Sequence, residues 1–159
     1  MPKCYQLIGV PGSGKSTWFN SNQLRFMHCV YISTDKFVDA YAHEVGKTYT
    51  EVFDIIMPRA VDLMSAEVVK ARDEGLDIVW DQTSTSVTSR MRKFNMLPQY
   101  KHIAVVFPTP DSEILKQRLK QRELVHGKFI PWKIVQGMID NWEDPILAEG
   151  FDEIWNINT

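Results

Sequence analysis

The chain carries one phosphate-binding motif close to its start. Residues 9–17 read Gly-Val-Pro-Gly-Ser-Gly-Lys-Ser-Thr, which fits the pattern G-x-x-x-x-G-K-S. The motif follows an apolar run, Cys4 to Val10, and precedes a stretch typical of a helix, Lys15 to Asn22. A P-loop requires this order of strand, loop and helix, because glycines let successive backbone N–H groups surround a phosphate. The sequence therefore predicts a phosphate-binding loop directly after the first strand.

The side chains of this loop have separate expected roles. Lys15 is expected to reach the β- and γ-phosphates of a nucleotide, and the hydroxyl of Ser16 to ligate the Mg²⁺ that accompanies it. The positive end of the following helix would point at the same phosphates. The predicted nucleotide-binding residues are Gly9, Pro11, Gly12, Ser13, Gly14, Lys15, Ser16 and Thr17.

Length and composition predict one globular domain over residues 1–159. The chain is 44% hydrophobic and 24% charged, and it shows no internal repeat or linker. No apolar run approaches the roughly 20 residues of a membrane span, and the first residues lack a signal-like segment. We therefore expect a cytoplasmic protein without a membrane partner. The net charge of -2 offers no global basic field, so a nucleic-acid substrate would need a local basic patch.

The cysteines and histidines predict no metal site of their own. Cys4 and Cys29 lie in predicted strands and are expected to be two buried thiols. The four histidines have no metal-ligand spacing with each other or with the cysteines, which favours structural or surface roles.

Short apolar runs alternate with stretches long enough for helices. Such alternation predicts an α/β fold with a parallel sheet of about five strands and helices on both faces. In the long helical pattern between Tyr49 and Glu74, Pro58 is expected to open a second helix and Gly75 to end it. The predicted strands are 5–10, 30–32, 76–80, 103–107 and 154–157, and the later helices are 86–97, 111–122 and 131–142.

Two aspartates follow predicted strands and are candidates for chemistry. Ligands gather at the carboxyl ends of parallel strands, and Asp35 comes three residues after the second of them. There it would orient and deprotonate an acceptor hydroxyl, although a helix N-cap is also compatible. Asp81 closes the third strand as a Walker B aspartate does and would organise the metal together with Ser16. Gln82 and Thr83 follow it as substrate contacts or as turn residues.

A later basic segment predicts a lid. Arg118 and Arg122 are four residues apart, so on a helix they share a face that could neutralise charge on a transferred phosphoryl group. The alternative without a functional role is an exposed charged helix face. The polar break over 123–130, however, suits a mobile lid spanning about 118–131. Arg90, with Arg92 and Lys93, forms a second basic cluster that would meet substrate phosphates or serve solubility.

These residues together resemble the polynucleotide 5′-kinase family over nearly the whole chain. The P-loop with Trp18-Phe19, the position of Asp35, the Asp81-Gln82-Thr83 turn and the Arg118/Arg122 spacing are similar to that family. Ser89-Arg90 falls at the matching point of its next helix. The run from Asp144 to Ile154, containing Pro-x-x-x-Glu-Gly-Phe, is similar to the end of the animal kinase domains. The resemblance implies a P-loop kinase that uses ATP and Mg²⁺, with Asp35 as base.

The same resemblance leaves three acceptors open. It favours transfer of the γ-phosphoryl group to the 5′-OH of a polynucleotide, with DNA or RNA as the partner. The bacteriophage member of that family, however, has an arginine that binds the acceptor phosphate where this chain has Val38. The absence of this arginine fits a DNA base kinase acting on 5-hydroxymethyluracil in phage-type DNA. A nucleoside or other small molecule is the third acceptor.

The rival from another class is a nucleotide-dependent switch that phosphorylates nothing. A switch needs a water-positioning residue, and Gln82 is the only weak candidate.

The tryptophans Trp132 and Trp142 are expected to be core residues. If they were exposed instead, they would stack a base or form a dimer contact.

Overall fold

A five-stranded parallel sheet forms the centre of the molecule. The computed structural model describes residues 1–158, in which the strand order is β2-β3-β1-β4-β5 and every pairing is parallel. The strands are β1 Lys3–Ile8, β2 Val30–Ile32, β3 Ile78–Asp81, β4 Lys101–Val106 and β5 Glu153–Asn156. The predicted α/β fold with a parallel sheet of about five strands is confirmed.

Helices cover both faces of the sheet. They are α1 Lys15–Ser21, α2 Asp35–Val45, α3 Tyr49–Asp73, α4 Val87–Met96, α5 Ser112–His126 and α6 Trp132–Asp140. Successive residues of a strand point to opposite faces. Cys4 accordingly packs with Met64 and Val68 of α3, whereas Tyr5 packs in the cluster that includes Trp18 of α1.

Helix α3 runs unbroken through Pro58, so the predicted division at this residue was wrong. A proline inside a helix removes one backbone hydrogen bond. Here the buried stripe continues on both sides of the proline, from Val52 to Ala60 and Met64, and its packing maintains the helix. Gly75 follows the helix with a φ of 67° and donates its N–H to the Arg72 carbonyl, in agreement with the predicted end.

Helix α5 is longer than expected. Residues 123–126 continue the helix to His126, so the break predicted over 123–130 begins only at Gly127. Gly127 adopts a φ of 65° and donates its N–H to the Glu123 carbonyl, which ends the helix. The next helix starts at Trp132 rather than at Pro131, which lies at its N-cap. The segment predicted to be a lid, about 118–131, therefore consists of the second half of α5 and a short connection.

Both cysteines are free thiols, as predicted. Cys4 lies fully buried in β1, where burial raises the pKa of its thiol. Cys29 differs from the prediction, since it is only half-buried and lies one residue before β2. Burial raises the pKa of Cys29 to about 11. Across residues 1–158, no helix combines the length and the hydropathy needed to cross a bilayer.

A buried ion pair joins α4 to the segment before β5. The Nε atom of Arg90 lies 2.5 Å from Oε1 of Glu149, and a second nitrogen lies 3.2 Å from Oε2. Arg90 also donates to the Ser84 carbonyl at 2.9 Å. The side chain of Arg90 is 0% exposed and that of Glu149 is 8% exposed. The pair therefore fixes the loop after β3 from inside the protein.

Removing one partner of this pair should destabilise the fold strongly. We expect Glu149→Gln to lower the free energy of unfolding by about 3–5 kcal/mol, because the buried guanidinium loses its counter-charge. The double variant Arg90→Met/Glu149→Leu should recover most of the loss. Urea unfolding measures both, with Glu123→Gln, in an exposed pair with Lys120, as the matched control that changes little. A single variant as stable as the wild type would contradict this role.

Candidate active site

The P-loop connects the end of β1 to α1, as predicted. Gly12 and Gly14 have φ angles of 83° and 102°, which side chains larger than glycine rarely adopt. Gly9 is needed for space, since a Cβ atom built on it would lie 2.4 Å from the Ser13 Oγ and 3.1 Å from the Phe107 Cβ. The hydroxyl of Ser13 is buried without a hydrogen-bond partner among the described residues. The loop is thus tightly packed and contains a buried hydroxyl that is free to hydrogen-bond, which fits a phosphate.

The ammonium group of Lys15 is bound within this loop. Its Nζ donates to the carbonyls of Gly9 at 2.9 Å and of Val10 at 3.2 Å. Burial lowers the pKa of Lys15 to about 8, although the charges of Asp81 and Asp35 oppose this shift. Within residues 1–158, the two carbonyl groups are the only hydrogen-bond acceptors of this buried ammonium group. A phosphate would stabilise it more than they do, because carbonyl dipoles neutralise a charge less well than an anion does. This environment suits the predicted contact of Lys15 with phosphate.

Asp81 lies beside the P-loop at the end of β3. Its Oδ2 accepts hydrogen bonds from the Ser16 hydroxyl, at 3.4 Å, and from the Tyr31 hydroxyl on the neighbouring strand. Burial raises the pKa of Asp81, while Lys15 lowers it. One carboxylate and one hydroxyl suit Mg²⁺, which binds a few protein oxygens together with substrate phosphates and water. Residues 1–158 contain no larger cluster of metal-ligating side chains.

Asp35 opens α2 and faces the same cleft. Thr34 occupies the N-cap position, so Asp35 is the first helical residue and the N-cap interpretation was wrong. Its Oδ1 accepts a hydrogen bond from the Tyr49 hydroxyl at 2.7 Å. The negative charge of Asp35 contributes to the raised pKa of Tyr49, after burial, and also affects Lys15. Asp35 therefore lies within electrostatic reach of the P-loop.

Gln82 and Thr83 line the cleft and also form the turn after β3. The Gln82 Oε1 accepts from the indole of Trp80 at 3.1 Å, and the Thr83 carbonyl accepts from the Gly9 N–H at 3.0 Å. The second of these bonds ties the turn to the P-loop. Both residues thus have structural partners while remaining at the edge of the site.

Arg90 does not reach the cleft, in contrast to its predicted contact with substrate. It is completely buried and bonded to Glu149 and to the Ser84 carbonyl, which leaves no surface for a ligand. Lys93 is also buried, with its Nζ 5.2 Å from the ring centroid of Trp80, and burial lowers its pKa to about 8. Two members of this basic cluster are therefore neither substrate contacts nor solubilising residues.

The two arginines of the predicted lid line the cleft. Arg118 donates to the Gly12 carbonyl at 3.0 Å, which ties α5 to the P-loop. Arg122 lies one turn further along, and its charge lowers the pKa of Lys15. The structure thus brings together the cations that the sequence pattern paired. Their position over the loop suits charge neutralisation on phosphates.

A single cleft of about 1280 Å³ joins these groups. Its lining residues belong to the P-loop, the starts of α1, α2 and α3, the turn after β3, the segment predicted to be the lid, and α6. The sequence analysis missed Tyr31 and Tyr49, whose hydroxyl groups bind the two carboxylates, and no local pattern distinguishes them from core tyrosines. It also missed the apolar wall, formed by Phe53, Met57, Phe129, Ile134 and Met138.

Neither tryptophan that was considered for base stacking lines this cleft. Trp132 and Trp142 are half-buried and pack against the cluster of Val10, Leu115 and Val135. Both are accordingly part of the packing beneath the lid.

The fold and the site define a class of protein, the P-loop kinases of α/β architecture. A family model described as an AAA domain, AAA_33, matches residues 6–145. The chain therefore belongs to the AAA_33 family. Membership of this family and the P-loop imply nucleotide binding.

Solved structures with the same fold include kinases with different acceptors. The Pnkp1/Rnl/Hen1 RNA repair complex contains a chain 25% identical to this one, with a TM-score of 0.69 over 88% of this chain and 43% of that chain. The present chain thus spans less than half of that protein. A fungal RNA kinase is 16% identical, with a TM-score of 0.63 over 99% of this chain and 74% of the other. A gluconokinase from Sinorhizobium meliloti is 18% identical, with a TM-score of 0.53 over 98% and 82%.

Nucleotide affinity should fall as the pH rises, because Lys15 loses its proton. Phosphate binding favours the protonated amine, and a pKa of about 8 leaves progressively less of it above pH 8. We expect Mg·ADP to bind about tenfold more weakly at pH 9 than at pH 7, measured by titration calorimetry. Lys15→Met should bind weakly without this dependence, whereas Lys93→Met, which removes the other lysine of similar pKa, should retain it. An equal dissociation constant for the wild type at both pH values would refute the assignment.

The P-loop should not tolerate a methyl group at Gly9. Gly9→Ala forces Ser13 and Phe107 to move, so we expect a loss of about 1–3 kcal/mol in unfolding free energy together with weakened nucleotide binding. Gly137→Ala in α6 is the matched control, because its added Cβ meets nothing within 4 Å. This control should gain up to about 1 kcal/mol and bind nucleotide normally. Thermal unfolding with and without Mg·ADP separates the two effects, and unchanged binding by Gly9→Ala would exclude a tight cradle.

Proposed function

We propose that this protein is an ATP-dependent kinase that transfers the γ-phosphoryl group to a hydroxyl of nucleic acid, with the 5′-OH end of a polynucleotide as the favoured acceptor. The observation that carries this proposal is the shared cleft of Asp35 and the P-loop, with the Asp35 carboxylate fixed by Tyr49 at 2.7 Å. A carboxylate at this place suits an alcohol acceptor, because it can orient the hydroxyl and take its proton.

Each residue of the site has a role in this reaction. ATP would supply the phosphoryl group and Mg²⁺ would neutralise charge on its phosphates. Asp35 orients the acceptor hydroxyl and accepts its proton, while the acceptor oxygen joins the γ-phosphorus and the bond to ADP breaks. Phosphates and metal are bound by residues of the P-loop and of β3, namely Gly9, Pro11, Gly12, Ser13, Gly14, Lys15, Ser16, Thr17 and Asp81. Arg118 and Arg122 close over the transferred group.

Two kinds of observation support a nucleic-acid acceptor. Structures with this fold include a chain of an RNA repair complex and an RNA kinase. The resemblance to polynucleotide 5′-kinases adds the Asp81-Gln82-Thr83 turn, whose last two side chains line the cleft as candidate substrate contacts. We also infer that residues 1–159 form one kinase domain with its lid at about 118–131.

The position of Val38 favours a second candidate. Val38 is fully buried between α2 and α3, where it packs against Ala42, Val52 and Ala60. An acceptor-gripping arginine could not occupy this site without disrupting that packing, so any contact to an acceptor phosphate must come from elsewhere. A base kinase acting on 5-hydroxymethyluracil in DNA, or a kinase of a nucleoside or other small molecule, needs no such grip.

Transfer of labelled γ-phosphate from ATP tests the proposal. The acceptors are a 5′-OH DNA oligonucleotide, its RNA counterpart, the 5′-phosphorylated DNA, DNA with an internal hydroxymethyluracil, a nucleoside and gluconate. We expect label on the 5′-OH strands alone. Asp35→Asn should lower this rate at least about 100-fold without loss of nucleotide affinity. Asp62→Asn, at an exposed position on α3, is the matched control and should keep the wild-type rate.

Other outcomes would overturn the favoured acceptor. Label confined to the modified base would identify a base kinase, and label on the nucleoside or on gluconate would identify a small-molecule kinase. Slow ATP hydrolysis without any labelled acceptor would favour a nucleotide-dependent switch. Wild-type transfer by a folded Asp35→Asn variant would remove the assigned role of Asp35.

A further inference from the structure

The carboxylate of Asp35 is fixed by a residue outside its own helix. The Tyr49 hydroxyl donates to Oδ1 of Asp35 at 2.7 Å. This bond engages only one carboxylate oxygen, so Oδ2 remains available to accept a proton. Tyr49 is the first residue of α3, and Thr48 and Glu51 form a capping box around it. The backbone that carries Tyr49 is therefore well defined, but its hydroxyl reaches Asp35 only while α2 and α3 keep their present spacing.

Three residues after α5 contact this same end of α3. We call Gly127, Lys128 and Phe129 the lid anchor. The Gly127 carbonyl accepts from the Thr50 hydroxyl at 2.9 Å, and the Phe129 N–H donates to the same hydroxyl at 2.7 Å. The Thr50 N–H also donates to the Gly127 carbonyl at 3.3 Å. One threonine thus binds the anchor through both its backbone and its side chain.

Lys128 extends the contact to Tyr49 and to α2. Its Nζ lies 4.9 Å from the centroid of the Tyr49 ring and 3.1 Å from Oδ2 of Asp39. The cation therefore bridges the ring that holds Asp35 and the helix that carries Asp35. A Cβ atom on Gly127 would lie 2.7 Å from the Thr48 Cβ, so the anchor and the N-cap of α3 are in close contact.

The other end of the lid lies at the P-loop. Arg118 donates to the Gly12 carbonyl, and the helix between Arg118 and Gly127 spans roughly 14 Å at 1.5 Å per residue. A helix transmits a displacement along its axis because its hydrogen bonds keep it rigid over this length. A ligand that moves Arg118 would accordingly displace the residues after α5 that contact Tyr49 and Thr50.

We propose that Tyr49 is the positioning residue for Asp35 and that the lid anchor holds Tyr49 in place, so that nucleotide bound under the lid sets the alignment of the acceptor carboxylate. The kinetic part of this inference rests on the proposed kinase function. The mechanical part, a link from the lid to the start of α3, does not. Nucleotide binding then prepares the site for the acceptor, and by linkage the acceptor strengthens nucleotide binding by the same factor.

Steady-state kinetics tests the positioning role. Tyr49→Phe removes the hydrogen bond to Asp35 and keeps the ring beneath Lys128. We expect its kcat for the 5′-OH oligonucleotide to fall about tenfold, with KM for ATP unchanged, because a misaligned carboxylate affects the chemical step. Tyr41→Phe, half-buried on α2, is the matched control and should keep the wild-type kcat. An unchanged kcat for Tyr49→Phe, with an active wild type, would overturn the positioning role.

Hydrogen exchange tests the link to the lid without any turnover. Adding Mg²⁺ and a non-hydrolysable ATP analogue should slow the exchange of amides 48–52 in the wild type. Thr50→Val removes two anchor hydrogen bonds at nearly constant size, so this protection should fall at least about tenfold while protection of the P-loop persists. Thr88→Val, exposed on α4, should behave as the wild type. Equal protection of amides 48–52 in Thr50→Val would overturn the link.

The two measurements separate this inference from the proposed function. A wild type that phosphorylates none of the acceptors would refute the kinase proposal, and the exchange experiment would still decide the link between lid and α3. An active wild type with a normal Tyr49→Phe variant would instead refute the positioning role alone.

Discussion

The parallel pairing of β1 with β3 on one side and β4 on the other determines where the chemistry can occur. It places the carboxyl ends of β1, β2 and β3 at one edge, so that Lys15, Asp35 and Asp81 meet although 66 residues separate the first from the last. Their charges are then interdependent. Burial lowers the pKa of Lys15 and raises that of Asp81, and each group offsets the shift of the other. A site with such opposed charges under partial burial is suited to receive a nucleotide with its metal, which replaces the missing solvent.

The interior of the protein supports this edge through charge as well as through apolar packing. Arg90 is completely buried, and Glu149 and the Ser84 carbonyl satisfy its guanidinium. The loop that it holds contains Thr83, whose carbonyl binds the Gly9 N–H at the start of the P-loop. The segment just before the last strand therefore stabilises the first functional loop. This explains physically why an arginine that resembles a substrate ligand in the sequence has a structural role: its charge is already neutralised within the fold.

The segment predicted to be the lid contacts both sides of the cleft. Arg118 contacts the P-loop, and the residues after α5 contact the start of α3, where Tyr49 binds Asp35. Tyrosine hydroxyls fix both carboxylates of the site, since Tyr31 binds Asp81 in the same manner. An aromatic hydroxyl is a good support for a carboxylate, because the rigid ring loses little conformational entropy when the bond forms. In the proposed reaction this arrangement would connect nucleotide binding with the acceptor side, and it is compatible with the different acceptors named for kinases of this fold.

The sequence by itself determined the α/β class, the five strands, the P-loop and the grouping of Lys15, Asp35, Asp81, Arg118 and Arg122 around one cleft. These features depend on local patterns, namely glycine spacing, apolar runs and residues that follow strands, and local patterns are visible in one chain. Only the tertiary structure decided that α3 passes through Pro58, that Arg90 is buried with Glu149, and that Tyr31 and Tyr49 hold the carboxylates. Each of these depends on a partner distant in sequence, and the free energy of such a contact arises only when the chain has folded.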